Sequence, residues 1–202
     1  MDLLIATRNK KKYLEIKHLL KNSGFKIISL GIFPDLPQIE ETGKTFKENA
    51  SIKARQICRL TDKLTLGEDS GLCVDALKGK PGIYSSRFAG LHKSDDDNNK
   101  KLLNSLGKKA LSKRKAHYVC VLSLAYKGKI LKTFEGRCNG LIGFEEKGSS
   151  GFGYDPLFII PAYKKTFAQL GLKIKHKMSH RANAFKKLKA YLPRVKSQLK
   201  SR

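Results

Sequence analysis

Between residues 3 and 66 the hydrophobic period switches four times. "LLIAT" is a short apolar run that reads as a buried strand. "NKKKYLEIKHLLKNSG" follows, with Tyr13, Ile16, Leu19 and Leu20 on one helical face and Gly24 placed to end the helix. "FKIISLG" returns to strand character. "TFKENASIKARQICRL" opens on Thr45 and Glu48, the S/T-x-x-E spacing of a capping box, and continues as a helix. "LTLGED" is a third strand, expected to end at its acid pair. A β-α-β-α-β run of this kind demands a sheet with parallel strands, because each helix carries the chain back across it.

The second half adds an antiparallel part. "SDDDNNKKLLNSLG" is a further helix, with Ser94 and Asp97 as its box. "AHYVCVLSLAYKGKILKTFEGR" reads as two strands joined at Lys127 and Gly128. "GSSGFGYDP" is a loop, "LFII" a strand, and "SHRANAFKKLKAYL" a last amphipathic helix with Ser179 as its cap. The expected class is α/β: a mixed sheet flanked by helices, forming two lobes with a cleft between them. We expect one domain over residues 1–202, with a basic tail from about residue 194 that frays.

A chain of 202 residues buries roughly 70% of its unfolded surface. It needs no disulfide or metal staple. No apolar run approaches the roughly 20 residues of a membrane span, and the four-residue "LLIA" before "TRNKKK" is not a signal peptide. A cytoplasmic protein without a membrane partner is expected. Of the cysteines, Cys58, Cys73 and Cys120 sit among apolar neighbours, whereas Cys138 in "GRCNG" is the one expected to be exposed. The net charge is +25, yet only nine of the 42 basic residues are Arg. Lysine spread along the whole chain argues for a diffuse coat over a dedicated nucleic-acid surface, where Arg usually dominates. Nucleic-acid binding is therefore not expected, although such a field still draws in anionic ligands such as nucleotides.

Five stretches carry chemistry. "ATRNKKK" (residues 6–12) leaves a strand and opens a helix, so backbone N–H groups and the positive helix end point outward beside Thr7, Asn9 and Lys12. It lacks the G-x-x-x-x-G-K-[ST] pattern of a Walker A loop. "EETGKTFKENA" places Glu40 and Glu41 before a capped helix that carries Lys53. "GEDSGL" sets Glu68 beside Asp69, ahead of Ser70. Adjacent carboxylates repel unless a cation stands by, and hard cations take oxygen ligands. Glu40 or Glu41 with Glu68 and Asp69 makes a candidate Mg²⁺ site, one acid serving instead as a general base; an exposed "EDSG" turn is the ordinary alternative. "GSSGFGYDPLF" combines glycines with Phe152 and Tyr154, which suit base stacking. "KHKMSHR" offers Lys175, His180 and Arg181 as donors beside a helix start. Arg87, in "PGIYSSRFAG", either pairs an acid or faces a ligand, and Asp75 braces its loop.

Taken in this order, T-x-N-x-x-K, "EETGKTFKENA", "EDSGL" with "PGIYSSRFAG", "GFGYDP" and "SHR" resemble the inosine triphosphate pyrophosphatases, the RdgB-like dITP/XTP pyrophosphatase family. The resemblance runs from residue 3 to about residue 188. It implies an elongated mixed α/β fold with a central active-site cleft, usually homodimeric. It also implies Mg²⁺-dependent hydrolysis of ITP, dITP and XTP to monophosphate and pyrophosphate, which clears deaminated purines from the nucleotide pool. By motif, Thr7, Arg8, Asn9, Lys10, Lys11 and Lys12 would hold the triphosphate. Glu40 and Asp69 would hold Mg²⁺ with Glu68 beside them, Asp69 acting as proton acceptor. Ser70 would touch substrate. Phe152, Gly153, Tyr154 and Asp155 would border the base, and Lys175, His180 and Arg181 would complete its recognition. Arg8 and Lys11 stand where that family often has glycine; both add charge and bulk beside the phosphates.

Overall fold

The computed structural model describes residues 1–200, and Ser201 and Arg202 of the expected tail lie outside them. The described chain forms a seven-stranded mixed sheet with strand order β2-β1-β3-β4-β5-β6-β7, accompanied by five α-helices. It divides into two compact units, one of residues 1–69, 120–136 and 181–202, the other of residues 70–119 and 137–180. Strands β3 (Thr65–Val74), β4 (Lys115–Tyr126) and β5 (Lys129–Ile142) supply residues to both.

In the first unit, β1 (Asp2–Ile5) pairs in parallel with β2 (Lys26–Ser29) and with β3, as the β-α-β-α-β reading requires. The crossover helices are α1 (Lys10–Leu19) and α2 (Phe46–Thr61). Ile16 and Leu20 are buried with Leu3, Ile5, Leu66, Leu122 and Phe185, and Tyr13 and Leu19 pack against them, so the expected face of α1 is the one that meets the core. Thr45 caps α2 by accepting from the Glu48 N–H at 3.1 Å. The Glu48 carboxylate accepts from the Lys44 N–H at 2.6 Å rather than from Thr45, so the reciprocal bond of the box falls one residue early. Helix α5 (His180–Lys200) begins at the residue after Ser179 and remains helical to Lys200, through the described part of the stretch expected to fray.

Helix α2 lies so close to β3 that Gly67 has no room for a side chain. A Cβ there would meet the Ala50 carbonyl and come within 2.7 Å of the Ala54 nitrogen. Both are backbone atoms inside a helix and cannot turn away. Gly67→Ala is therefore expected to cost about 1–3 kcal/mol through overpacking. This corresponds to a melting temperature lower by about 2–4 °C per kcal/mol. An unchanged melting curve would refute this packing.

In the second unit, Leu72, Leu102, Tyr118, Ile142, Phe158 and Phe167 belong to a separate core. Helix α3 (Asp95–Leu106) has the complete Ser94–Asp97 capping box. Strand β5 pairs antiparallel with β6 (Phe158–Ile160), and β6 with β7 (Lys165–Thr166). The β4–β5 turn sits at Lys127 and Gly128, both at positive φ, as a two-residue hairpin loop needs. One helix has no counterpart in the sequence reading: α4 (Phe167–Met178), capped by a Thr166–Gln169 box and interrupted at Gly171, where φ is 76°.

Two expectations are corrected. β3 does not end at the acid pair. It continues to Val74, so Glu68 and Asp69 are mid-strand residues rather than a turn, and both are buried. Cys138 is buried rather than exposed, because β5 alternates and Cys138 falls on its inward face. Burial pushes its thiol up to about 11, and raises those of Cys73 and Cys120 too. None of these three has the lowered value a reactive thiolate requires.

Candidate active site

Successive residues of a strand point to opposite faces, and the two carboxylates of β3 accordingly keep different company. Glu68 is fully buried. Its Oε1 accepts from Arg181 Nε at 3.3 Å and Nη2 at 3.1 Å, and its Oε2 pairs with Lys12 Nζ at 2.9 Å. Arg181 also donates from Nη1 to Glu15 Oε2 at 2.8 Å, joining α5 to α1. Its guanidinium is held well above the ordinary arginine range: burial opposes the charge, but Glu68 and Glu15 outweigh burial.

Asp69 faces α2. Its Oδ1 pairs with Lys53 Nζ at 3.3 Å, and Lys53 pairs in turn with Glu41 Oε1 at 2.6 Å. Asp69 Oδ2 is buried and has no hydrogen-bond partner. Burial raises the Asp69 carboxyl above its ordinary 3.8, against the lowering pull of Lys53 and Lys12; Glu41 and Glu68 push the same way as burial. Lys53 is held above its usual value, since the burial that lowers it is outweighed by Asp69 and Glu41. The segment that carries Glu41 is fastened by the buried Asn49, whose Oδ1 accepts from the Gly43 N–H at 2.8 Å.

Asn9 caps α1, accepting from the Lys12 N–H at 3.0 Å, and its own N–H donates to Thr7 Oγ1 at 3.2 Å. These two side chains thus shape the turn. The first turn of α1 holds Lys10, Lys11 and Lys12 and no acid, an arrangement that opposes the helix dipole and leaves the end strongly attractive to anions. Lys10 and Lys11 are exposed, and Lys12 reaches Glu68. Arg8 turns its Nη2 to the Leu36 carbonyl at 2.5 Å.

The second unit holds a different group. Lys175, buried on α4, pairs its Nζ with Asp155 Oδ2 at 2.5 Å and lies 4.5 Å over the centre of the Phe152 ring. Asp155 Oδ2 also accepts from the Phe152 N–H at 2.9 Å. Gly151, at φ 88°, must lack a side chain because a Cβ would strike that same oxygen. The Gly153 N–H donates to Asp95 Oδ2 at 2.9 Å, and Tyr154 donates from its hydroxyl to the Ser85 carbonyl at 2.8 Å. His180 stacks on Tyr118, with ring centres 4.5 Å apart and 13° between planes. The loop and Lys175 form a rigid polar cradle beside an aromatic face. Ser70 is half-buried on β3, directly after Asp69.

Glu41, rather than Glu40, joins the acid group; Glu40 lines an open hollow with Ile39, Gln56, Arg59 and Leu60. Arg181 sits with Glu68 and Glu15. Lys53 and Glu15 pair with these charged groups, and neither stood out in the sequence. Only the i,i+3 spacing of Glu15 from Lys12, close to one helical turn, marked it as facing the same way. Arg87 stands over the Tyr84 ring at 5.2 Å, and Asp75 lies 3.9 Å from His117.

Comparison with known proteins adds to this geometry. The model of the Ham1 family matches residues 3–191. A protein of Desulforamulus reducens named dITP/XTP pyrophosphatase is 47% identical over 195 residues, covering 96% of this chain and 97% of its own. One of Exiguobacterium sibiricum with the same name is 46% identical, covering 95% and 97%. Among solved structures, the Staphylococcus aureus Ham1 protein superposes with a TM-score of 0.85 at 41% identity, over 96% of this chain and 98% of that one. A HAM1 protein from Coxiella burnetii gives 0.87 at 36% identity, over 96% and 99%.

Proposed function

Because the chain belongs to the Ham1 family, we propose that it is a nucleoside triphosphate pyrophosphatase, hydrolysing dITP, ITP and XTP to the monophosphate and pyrophosphate. The observation that carries this reading is Asp69. It is a buried carboxylate with one unpartnered oxygen and a raised proton affinity, flanked by the lysines that a polyanion would claim. A site of this kind fits cleavage of an acid anhydride, where charge neutralisation matters more than a covalent intermediate.

In this reading Thr7, Asn9 and the lysines of the first turn of α1 receive the triphosphate. Lys12 and Lys53 loosen from Glu68 and Asp69 toward phosphate oxygens. Asp69 then takes a proton from the attacking water. The water oxygen forms a bond to phosphorus, the α–β anhydride bond breaks, and pyrophosphate leaves. Glu68 stays anchored by Arg181 and keeps the local charge in place. Mg²⁺ belongs to the proposal. The unpartnered Asp69 Oδ2, with the Glu41 carboxylate that shares Lys53 with it, offers hard oxygen donors of the kind this ion takes. Among the described residues no three acids, histidines or cysteines are grouped to hold an ion by themselves, which suits an ion bound by one or two carboxylates and the substrate's own phosphates. Glu40, the ligand implied by the motif, stands one residue away from Glu41. When bound, the ion would draw negative charge from the phosphate oxygens.

Purine recognition is assigned to Phe152, Gly153, Tyr154, Asp155, Lys175 and His180, with Ser70 touching substrate. Donors suit the 6-oxo group of hypoxanthine and xanthine. Adenine presents a 6-amino donor instead, leaving protein donors unpaired at roughly 1–3 kcal/mol each, or about 5- to 150-fold. The family reading further makes the protein a cytoplasmic homodimer that serves the nucleotide pool; sedimentation velocity tests the dimer.

The deciding assay is pyrophosphate release from dITP with Mg²⁺, compared with dATP and dTTP. dITP is expected to lead dATP by at least about tenfold. No release from dITP sinks the proposal, and faster dTTP turnover would favour a pyrimidine-directed relative. The kcat/KM profile should fall on its acid side at a pH above the ordinary 3.8 of aspartate, because the deprotonated carboxylate is the base and burial raises it. Lys53→Met removes a cation that lowers that value, so the acid limb should move to higher pH.

A further inference from the structure

Two arginines are hidden from water in this protein and are treated in opposite ways. Arg181 is 2% exposed and donates to two carboxylates. Arg114, at the start of β4 in the second unit, is 1% exposed, and its Nε and Nη1 are buried without a hydrogen-bond partner. Among the described residues no carboxylate pairs with it. Its guanidinium lies against an aromatic face: the Phe144 ring centre is 4.6 Å from Cζ. A guanidinium removed from water without a counter-ion is costly, and natural proteins pair such groups or use them. Burial already holds this one below the ordinary arginine range.

The surroundings of Arg114 are well defined. The backbone about the pair is fixed, since the Ile142 N–H donates to the Arg114 carbonyl at 2.9 Å and the Gly143 N–H to the Leu157 carbonyl at 2.8 Å. The Phe144 side chain, by contrast, is 60% exposed and has little packing to hold it over the guanidinium. Phe144 also lines a hollow of about 140 Å³ with Leu111, Lys147, Lys164 and Thr166. That volume is well below the roughly 300 Å³ at which nucleotide-sized pockets begin, and it suits a single small oxyanion. The acid in the lining, Glu145, is exposed and pairs with Lys147 at 2.9 Å.

We propose that Arg114 anchors a second anion site that takes a phosphate-type oxyanion, with Phe144 as the ring that covers it. Planar guanidinium donors match two oxygens of such an ion at once. Arg114 does not itself line the hollow; Lys147 and Lys164, which do, draw the ion in, and the exposed Phe144 ring swings aside so that it reaches the guanidinium.

The chain has no tryptophan, so Phe144→Trp places a single fluorescent reporter over Arg114. The full-length variant is titrated without divalent ions, once with inorganic phosphate and once with pyrophosphate; the tighter of the two identifies the source. A saturable change in emission is expected, with affinity about 10- to 100-fold weaker when Arg114→Gln is added. Should that double variant fail to fold, Arg114→Lys replaces it, keeping the charge and losing the fork, and a severalfold weakening is expected. Emission that does not saturate with either anion, or an affinity indifferent to residue 114, overturns the proposal.

Discussion

Asp69→Asn is expected to lower pyrophosphate release from dITP by about 10²–10⁴-fold, the range that a positioned general base contributes. The substitution conserves shape. The amide oxygen can still accept from Lys53, which now stands 3.3 Å from Oδ1. Folding should therefore survive, and thermal melting of the variant should stay close to that of the parent. The acid limb of the pH profile should disappear with the carboxylate that produces it. Retention of full activity would remove Asp69 from the chemistry. A basic nucleic-acid-binding protein would behave otherwise: its retention on DNA would be untouched by this change, and the parent would release no pyrophosphate.

Arg181→Met carries the largest expected effect on stability. The guanidinium is buried between Glu68 and Glu15. Its removal leaves two buried carboxylates with one cation fewer, and breaking such a group costs about 3–5 kcal/mol. For a chain of this size the melting temperature should drop by about 10 °C. The double variant Glu68→Gln/Arg181→Met removes a charge of each sign and should recover part of the loss, which a double-mutant cycle measures. If Arg181→Met melts with the parent, the buried network has no structural weight.

Parts of the fold were legible because local chemistry decides them. The face of α1, the Ser94–Asp97 box and the hairpin at Lys127–Gly128 each follow from a few neighbouring residues. Other parts were not. "EDSG" is built of turn-forming residues, yet pairing within the sheet keeps β3 extended through it, a tertiary preference no four-residue window contains. Helix α4 advertised itself only through Thr166 and Gln169, and Gly171 breaks its period at the fifth residue. Glu40 and Glu41 are adjacent in a segment without regular structure, where no periodicity says which one faces the acids. The motifs carry no sign of the acids around Arg181. What defines its surroundings is Glu15, 166 residues away, and Glu68, 113 residues away.

The continuation of β3 through the acid pair has an evolutionary reading. In a loop, two neighbouring carboxylates can drift, and an inserted residue is absorbed by a wider bend. In a paired strand each position is assigned to one side by count. One residue gained between Thr65 and Gly67 would put Glu68 in the place that faces Lys53, and one residue lost would put Asp69 in the place that faces the arginine. Either error would hand one acid the other's place at full stagger, with no intermediate setting for selection to improve. The length of this strand before its acids should therefore be among the least negotiable dimensions of the protein, more so than the identity of the apolar residues that fill it.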